Sequence, residues 1–323
     1  MKNLPCLKIA HLPTPVEELT RLSAFLGGPR LLVKRDDQTG LALGGNKTRK
    51  LEFLMAEAQA QGAEMVFTTG APQSNHCRQT AGAAARLGLA CTLVLAGERP
   101  DELSANYLLD TLLGAQIIWT SKAERDQILQ AAFALAQSDG RKPYLVPYGG
   151  SNSTGAAAYA FALKELLEQG FRPDWIVFAS SSGGTQAGLV AGAHLLGYEG
   201  KILGISVDEP QAILKTQVAE LASETVSRLG AAANFQPSQI LATDAYVGAG
   251  YGMAGSAEIE AMQIFAQKEG LLVDPVYTGR AAAGLIDLIR QGFFSPDESV
   301  LFWHTGGSPA LFANQYADLL KIG

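Results

Sequence analysis

The residues best placed by type to do chemistry lie in the run Gly44-Gly45-Asn46-Lys47-Thr48-Arg49-Lys50-Leu51-Glu52. Leu51, Leu54, Met55 and Ala58 fall on one helical face, and Asn46 reads as the N-cap. Lys47 then sits in the first turn of a helix, with Arg49 and Lys50 crowded beside it. Such an end carries partial positive charge and disfavours cations. A lysine held there is pushed toward its neutral amine, the form that adds to a carbonyl to make a Schiff base. A solvated basic turn capping a surface helix is the competing reading. The overlapping run Gly40 to Thr48 nearly spells a nucleotide-binding P-loop, but Asn46 separates the last glycine from the lysine. One extra residue turns that lysine by roughly 100° about the helix axis, which argues against a nucleotide.

Further polar loops follow predicted strands. Ser181-Ser182-Gly183-Gly184-Thr185 leaves the strand 174–179 and enters a helix rich in alanine and glycine. Backbone N–H groups at that helix start can point at a phosphate, with Ser182 and Thr185 adding hydroxyls. The alternative is a tight turn capped by Ser and Thr. Gly149-Gly150-Ser151-Asn152 is a weaker candidate of the same kind. Gln73-Ser74-Asn75-His76 offers a hydroxyl, an amide and an imidazole at a loop-to-helix junction, where Ser74 or Asn75 would also serve as a cap. His76 and Cys77 point about 100° apart on a helix, which argues against a thiol–imidazole dyad. Tyr251 and Tyr277 sit in loops bearing glycine and proline. Each suits a packing cover, a ring stacked on a flat ligand, or an acid–base group.

The elements that must position these loops read as alternating strands and helices. Short apolar runs near 31–34, 65–69, 91–95, 116–119, 144–146, 174–179, 202–207, 271–273 and 299–303 are strands. Amphipathic stretches near 16–26, 46–61, 75–87, 103–113, 122–137, 211–228 and 256–269 are helices. Continuous apolar strands between amphipathic helices predict an α/β chain with parallel sheet buried on both faces. In such sheets ligands bind beyond the strands' carboxyl ends, where all these loops lie.

Composition narrows the partners. The 323 residues are 47% hydrophobic, enough for two domains or one large one. A net charge of −6 lacks the basic footprint of a nucleic-acid binder. No apolar run reaches membrane-span length, and the first residues lack a signal peptide's apolar core. Cys6, Cys77 and Cys91 are odd in number and have no ligand spacing, and His11, His76, His194 and His304 are unclustered. The expectation is a cytoplasmic protein without disulfides or a metal site.

A lysine at a helix start, a backbone phosphate cradle far along the chain, and loop hydroxyls and aromatics together suit a phosphorylated aldehyde held as an imine: pyridoxal phosphate. The same stretches, with Gly250-Tyr251-Gly252, Asp274-Pro275-Val276-Tyr277-Thr278-Gly279 and His304-Thr305-Gly306-Gly307, resemble the D-cysteine desulfhydrase and 1-aminocyclopropane-1-carboxylate (ACC) deaminase family across nearly the whole chain. The resemblance implies a two-domain, tryptophan synthase β-like α/β fold (fold type II) with open, mostly parallel sheets. A small domain, 51–155, would be inserted into a large one, 1–50 and 156–323. It implies that Lys47 carries the cofactor as a Schiff base and then acts as base at the substrate's Cα. Asn75 would lie near the phenolic oxygen, Ser74 against the substrate, and Ser182, Gly183, Gly184 and Thr185 around the phosphate. Tyr251 and Tyr277 would be the active-site tyrosines. Ser181 departs from the pattern, since relatives often carry Gly there.

Two positions bear on the reaction. By the same resemblance, ACC deaminases have a glutamate where this chain has Thr278 and a leucine where it has Thr305. A glutamate at the pyridine nitrogen would keep it protonated, whereas a threonine hydroxyl stays neutral. Expelling a thiolate tolerates the weaker electron sink that results. The expected activity is therefore elimination from a small amino acid, D-cysteine, to pyruvate, sulfide and ammonia by a homodimer. Cysteate sulfo-lyase and ACC deaminase are the alternatives, and a binding protein without turnover is the non-enzymatic one.

Overall fold

The structure is a computed structural model that describes residues 1–319. Ten strands occur in chain order: β1 (Val16–Glu18), β2 (Arg30–Arg35), β3 (Met65–Gly70), β4 (Ala90–Ala96), β5 (Gln116–Thr120), β6 (Pro143–Leu145), β7 (Trp175–Ser180), β8 (Lys201–Ser206), β9 (Leu241–Thr243) and β10 (Ser299–His304). The helices are α1 (Thr20–Leu26), α2 (Asn46–Ala60), α3 (Asn75–Leu87), α4 (Ala105–Leu112), α5 (Arg125–Ser138), α6 (Ser153–Glu168), α7 (Gly184–Leu196), α8 (Gln211–Arg228), α9 (Ser256–Glu269) and α10 (Thr278–Arg290).

Two sheets result. One has six strands in the order β1-β2-β10-β7-β8-β9, the other four in the order β5-β4-β3-β6. Every pairing is parallel except β1 against β2. Alternate residues of β7 serve opposite faces: Ile176 and Phe178 join one apolar cluster, Trp175, Val177 and Ala179 another. In the smaller sheet Val66 and Phe67 divide in the same way. Burial on both faces is why these strands read as unbroken apolar runs. Helix α2 packs against both α3 and α6, so it touches elements beside each sheet. No helix among the described residues is long and apolar enough to cross a membrane.

Three local expectations are corrected, and one unexpected strand is added. The helix expected over 16–26 is a short strand followed by α1, because Val16, Glu17 and Glu18 find ladder partners in Lys34, Val33 and Leu32. The strand expected at 271–273 does not form. Leu271 and Val273 are buried apolar anchors outside any ladder. Strand β9 carries too little apolar pattern to be foreseen and exists through pairing with β8. Asn46 is the first helical residue rather than the N-cap, which is Gly45 at φ 127°. Its amide turns instead to Thr185, whose Oγ1 accepts from Asn46 Nδ2 at 3.1 Å.

Candidate active site

The lysine loop reaches its place by close backbone contact. A Cβ on Gly306 would come within 2.7 Å of the Gly45 Cα, so two glycines let the lysine loop and the loop after β10 touch. Asn46 N donates to the Thr305 carbonyl at 2.9 Å across that contact. Thr39 Oγ1 binds both Gly45 N and Gly45 O, closing the turn before α2.

A cavity opens beyond these loops. Its wall contains Asn46, Lys47, Ser74, Asn75, His76, Tyr148, Gly149, residues 179–185, Tyr277, Thr305 and Gly306. The contributing loops follow β2, β3, β6, β7 and β10, so carboxyl ends from both sheets meet at one site. A wider mouth continues outward past Lys122, Arg125, Asp208, Glu220 and Tyr251.

Lys47 lies in the first turn of α2. Burial lowers its pKa from 10.5 to about 8, with Lys50 and the Asp208 carboxylate opposing the shift. Lys50, one turn on, is fully buried, and burial together with the Lys47 charge takes it well below 10.5. Its Nζ donates to the Gly149 carbonyl at 3.1 Å and to Ser151 Oγ at 3.3 Å. A Cβ on Gly184 would fall 2.8 Å from that Nζ and 2.4 Å from Ser151 Oγ. Gly183, at φ 73°, caps α7, and the Ser182 and Ser151 hydroxyls bond at 2.8 Å. The helix start, two serines, Thr185 and Lys50 thus form a cradle for an anion. Arg49 turns the other way, to Asp36 and Glu165.

Ser74 caps α3, accepting from Cys77 N at 3.2 Å, and its side chain lines the cavity. His76 lines the cavity next to it. Thr68 Oγ1 donates its one proton to Val146 O at 2.9 Å, so His76 Nε2, 2.8 Å away, must be the donor in their bond. Burial and the two lysines hold this histidine neutral, and its buried Nδ1 has no partner among the described residues.

Tyr277 stands on the cavity wall, and Tyr251 stands in the mouth. Their hydroxyls are 2.5 Å apart and their rings meet edge to face. Burial raises both phenols well above 10, so both remain protonated. Thr305 reaches the cavity, whereas Thr278 does not line it. Thr278 is fully buried behind Tyr277. Its Oγ1 donates to Asp274 Oδ1 at 2.6 Å and accepts from Asp274 N at 2.8 Å.

Sequence reasoning named the loops that meet at this cavity, but it ranked the Ser151 loop below the one after β7 and gave no role to Lys50 or Tyr148. Lys50 carried a signal, since it lies three residues after Lys47 and so on the same helix face. Tyr148 carried none, because a loop hydroxyl reveals nothing of what faces it.

A primary amine held partly neutral, set beside an anion cradle in one cavity, defines an α/β enzyme built for an aldehyde phosphate, and the residues fit pyridoxal phosphate. Known proteins agree. The family described as pyridoxal-phosphate dependent enzyme matches residues 7–306. The chain is 41% identical over 324 residues to D-cysteine desulfhydrase of Salmonella choleraesuis (strain SC-B67), covering 97% of both chains. It is 41% identical over 326 residues to the Salmonella typhi D-cysteine desulfhydrase, with the same coverage. A crystal structure of an ACC deaminase homologue matches with a TM-score of 0.89 at 36% identity, over 98% of this chain and 96% of that one. Threonine deaminase isoform 2 from Solanum lycopersicum shares the fold alone, at 16% identity and a TM-score of 0.66, over 98% of this chain and 82% of its own. This chain belongs to the pyridoxal-phosphate dependent enzymes, and pyridoxal phosphate is its cofactor.

Proposed function

We propose that the protein catalyses α,β-elimination of D-cysteine, in which D-cysteine and water give pyruvate, hydrogen sulfide and ammonia. The carrying observation is full-length likeness to D-cysteine desulfhydrases, joined to a cavity whose wall presents Lys47, Thr305 and Tyr277, the last bonded to Tyr251 in the mouth. When bound, the cofactor supplies the electron sink for a carbanion at Cα.

The chain's own residues would do the rest. Lys47 would hold the cofactor's aldehyde carbon and would move the substrate's Cα proton. A pKa of about 8 leaves an appreciable neutral fraction near neutral pH. Ser182, Gly183, Gly184, Thr185 and Lys50 would hold the phosphate, and Asn75 would donate to the ring oxygen. Ser74 takes the substrate. The bonded Tyr251–Tyr277 pair, fixed in the protonated state, would donate a hydrogen bond to the departing sulfur. We assign the ring-nitrogen contact to Thr305, because the Thr278 hydroxyl is engaged by Asp274. A neutral hydroxyl there favours loss of a thiolate, whose thiol has a pKa of about 8.5, over opening of a cyclopropane.

The reading includes a small domain at 51–155, supported by a four-stranded sheet built wholly from strands β3 to β6. It includes a cytoplasmic location, supported by three free cysteines. It includes a homodimer, which the exposed Leu112 and Phe312 side chains favour and light scattering would test. The purified protein should be assayed with D-cysteine, L-cysteine, cysteate and ACC. Pyruvate and sulfide from D-cysteine, with little ammonia from ACC, is the expected result. Sulfite from cysteate as the dominant product would change the leaving group. ACC turnover equal to that of D-cysteine would remove the role given to Thr305.

A further inference from the structure

Three arginines are fully or almost fully buried, and they differ in what answers their charge. Arg49 meets Asp36 and Glu165, and Arg280 meets Glu258. Arg78, on α3, has no carboxylate partner among the described residues. Its Nη1 donates to Asn75 Oδ1 at 2.9 Å and to Asn106 Oδ1 at 2.7 Å, and its Nη2 donates to the Gly44 carbonyl at 2.7 Å. Asp110 follows Asn106 by one turn of α4, but burial keeps its carboxyl well above the usual range, and neither of its oxygens has a hydrogen-bond partner among the described residues. Arg78, lowered by burial only to about 10 with Asp110 and Asp274 opposing the shift, is a cation at neutral pH whose hydrogen bonds go to amide and peptide dipoles.

Those dipoles lead to the cavity. Asn75 Oδ1 accepts from both Arg78 Nη1 and Asn106 Nδ2, the second at 3.1 Å. Asn106 is itself held by Gln73 through two bonds of 2.8 Å. Flipping the Asn75 amide would set its NH₂ against two donors, so its orientation is determined. Its Nδ2 is left with no protein acceptor among the described residues, on a side chain that lines the cavity with Lys47. An amide whose oxygen accepts from a cation is polarised, and its N–H donors strengthen. Through Gly44, the same guanidinium also grips the loop that carries Lys47.

We propose that Arg78 is a positioning residue that locks Asn75 as a one-way donor to the cofactor's ring oxygen and, through that amide, favours the ionised form of the oxygen. This rests on the placement of Asn75 in the reading above.

The test is the absorption spectrum of the cofactor-loaded protein, which reports ring-oxygen ionisation without turnover. Arg78→Gln removes the charge. At fixed pH it should lose visible absorbance to the near-ultraviolet band of the un-ionised form, and kcat should fall about tenfold or more with KM little changed. Arg78→Lys should restore part of the visible band. A folded, loaded Arg78→Gln protein with wild-type spectrum and kcat overturns the proposal. Should that variant not fold, Asn106→Ala decides: it removes one of the two donors to Asn75 and keeps the charge. A smaller shift in the same direction supports the proposal, and a wild-type spectrum overturns it. Wild-type protein that shows no visible band with pyridoxal phosphate would defeat the cofactor reading instead.

Discussion

Two faces of the first turns of α2 carry buried cations with opposite fates. On one, Arg49 donates to Asp36 at 2.8 and 2.9 Å and to Glu165 at 2.9 Å. Asp36 also receives Tyr159 OH at 2.6 Å and Trp303 Nε1 at 2.8 Å, so the carboxylate is saturated and its pKa held down. On the other face, Lys47 and Lys50 have no carboxylate at contact distance among the described residues, and both are lowered by burial. Neighbouring positions on one helix therefore hold a closed charge network and an open one. Closed networks fix a structure. An open one is a standing cost in the ligand-free protein, and it persists because an anionic ligand completes it.

The comparison breaks most readily at Lys47. Lys47→Ala should cut turnover by about three orders of magnitude or more while melting stays near wild type. Borohydride reduction and peptide mapping of the wild type should place the pyridoxyl label on Lys47. A label on Lys50 would exchange the roles of the two lysines. On the closed side, Arg49→Met leaves Asp36 and Glu165 buried without their cation and should cost about 3–5 kcal/mol in urea unfolding. Unchanged stability would mean that the two faces do not differ as argued.

Lys50→Met sharpens the contrast because its two effects have opposite signs. The ligand-free protein should be as stable as wild type or more so, since a buried amine without a counter-charge is gone. Pyridoxal phosphate affinity should fall about tenfold to a hundredfold, the range of a lost hydrogen bond to a charged group. An affinity equal to wild type would take the anion cradle away from Lys50.

The smallest effect is a pH slope. The folded pKa of Lys47, about 8, lies below its ordinary 10.5. Between those values the unfolded chain holds a proton that the folded chain does not. Stability of the ligand-free protein therefore rises as pH rises through that window, and the penalty is fully present below it. Lys50 contributes with the same sign. Urea unfolding across the window should show the rise, and Lys47→Met should lose about one proton's share of it. An unchanged slope in that variant would show that Lys47 titrates alike in both states.

Helix bounds were legible because they are local. Asn75–Leu87, Gln211–Arg228 and Ser256–Glu269 fall where caps and apolar spacing placed them, since those signals act within a turn or two. Loop positions were legible too, because parallel strands send their polar loops to one end. Strand pairing was less so. Val16–Glu18 became a strand through partners about 16 residues on, and Leu271–Val273 joined neither sheet, although its apolar run reads as a strand.

By itself the sequence determined the alternation of strands and helices, the loops that carry the chemistry, and a lysine at a helix start. Tertiary structure alone decided which polar groups those loops would share. It set Lys50 against Ser151, 101 residues away, and turned Arg49 to Glu165. It also placed Thr305 in the cavity and Thr278 behind it. The physical reason is that a buried polar group must find its partner wherever the packed chain presents one, and sequence spacing does not encode that meeting.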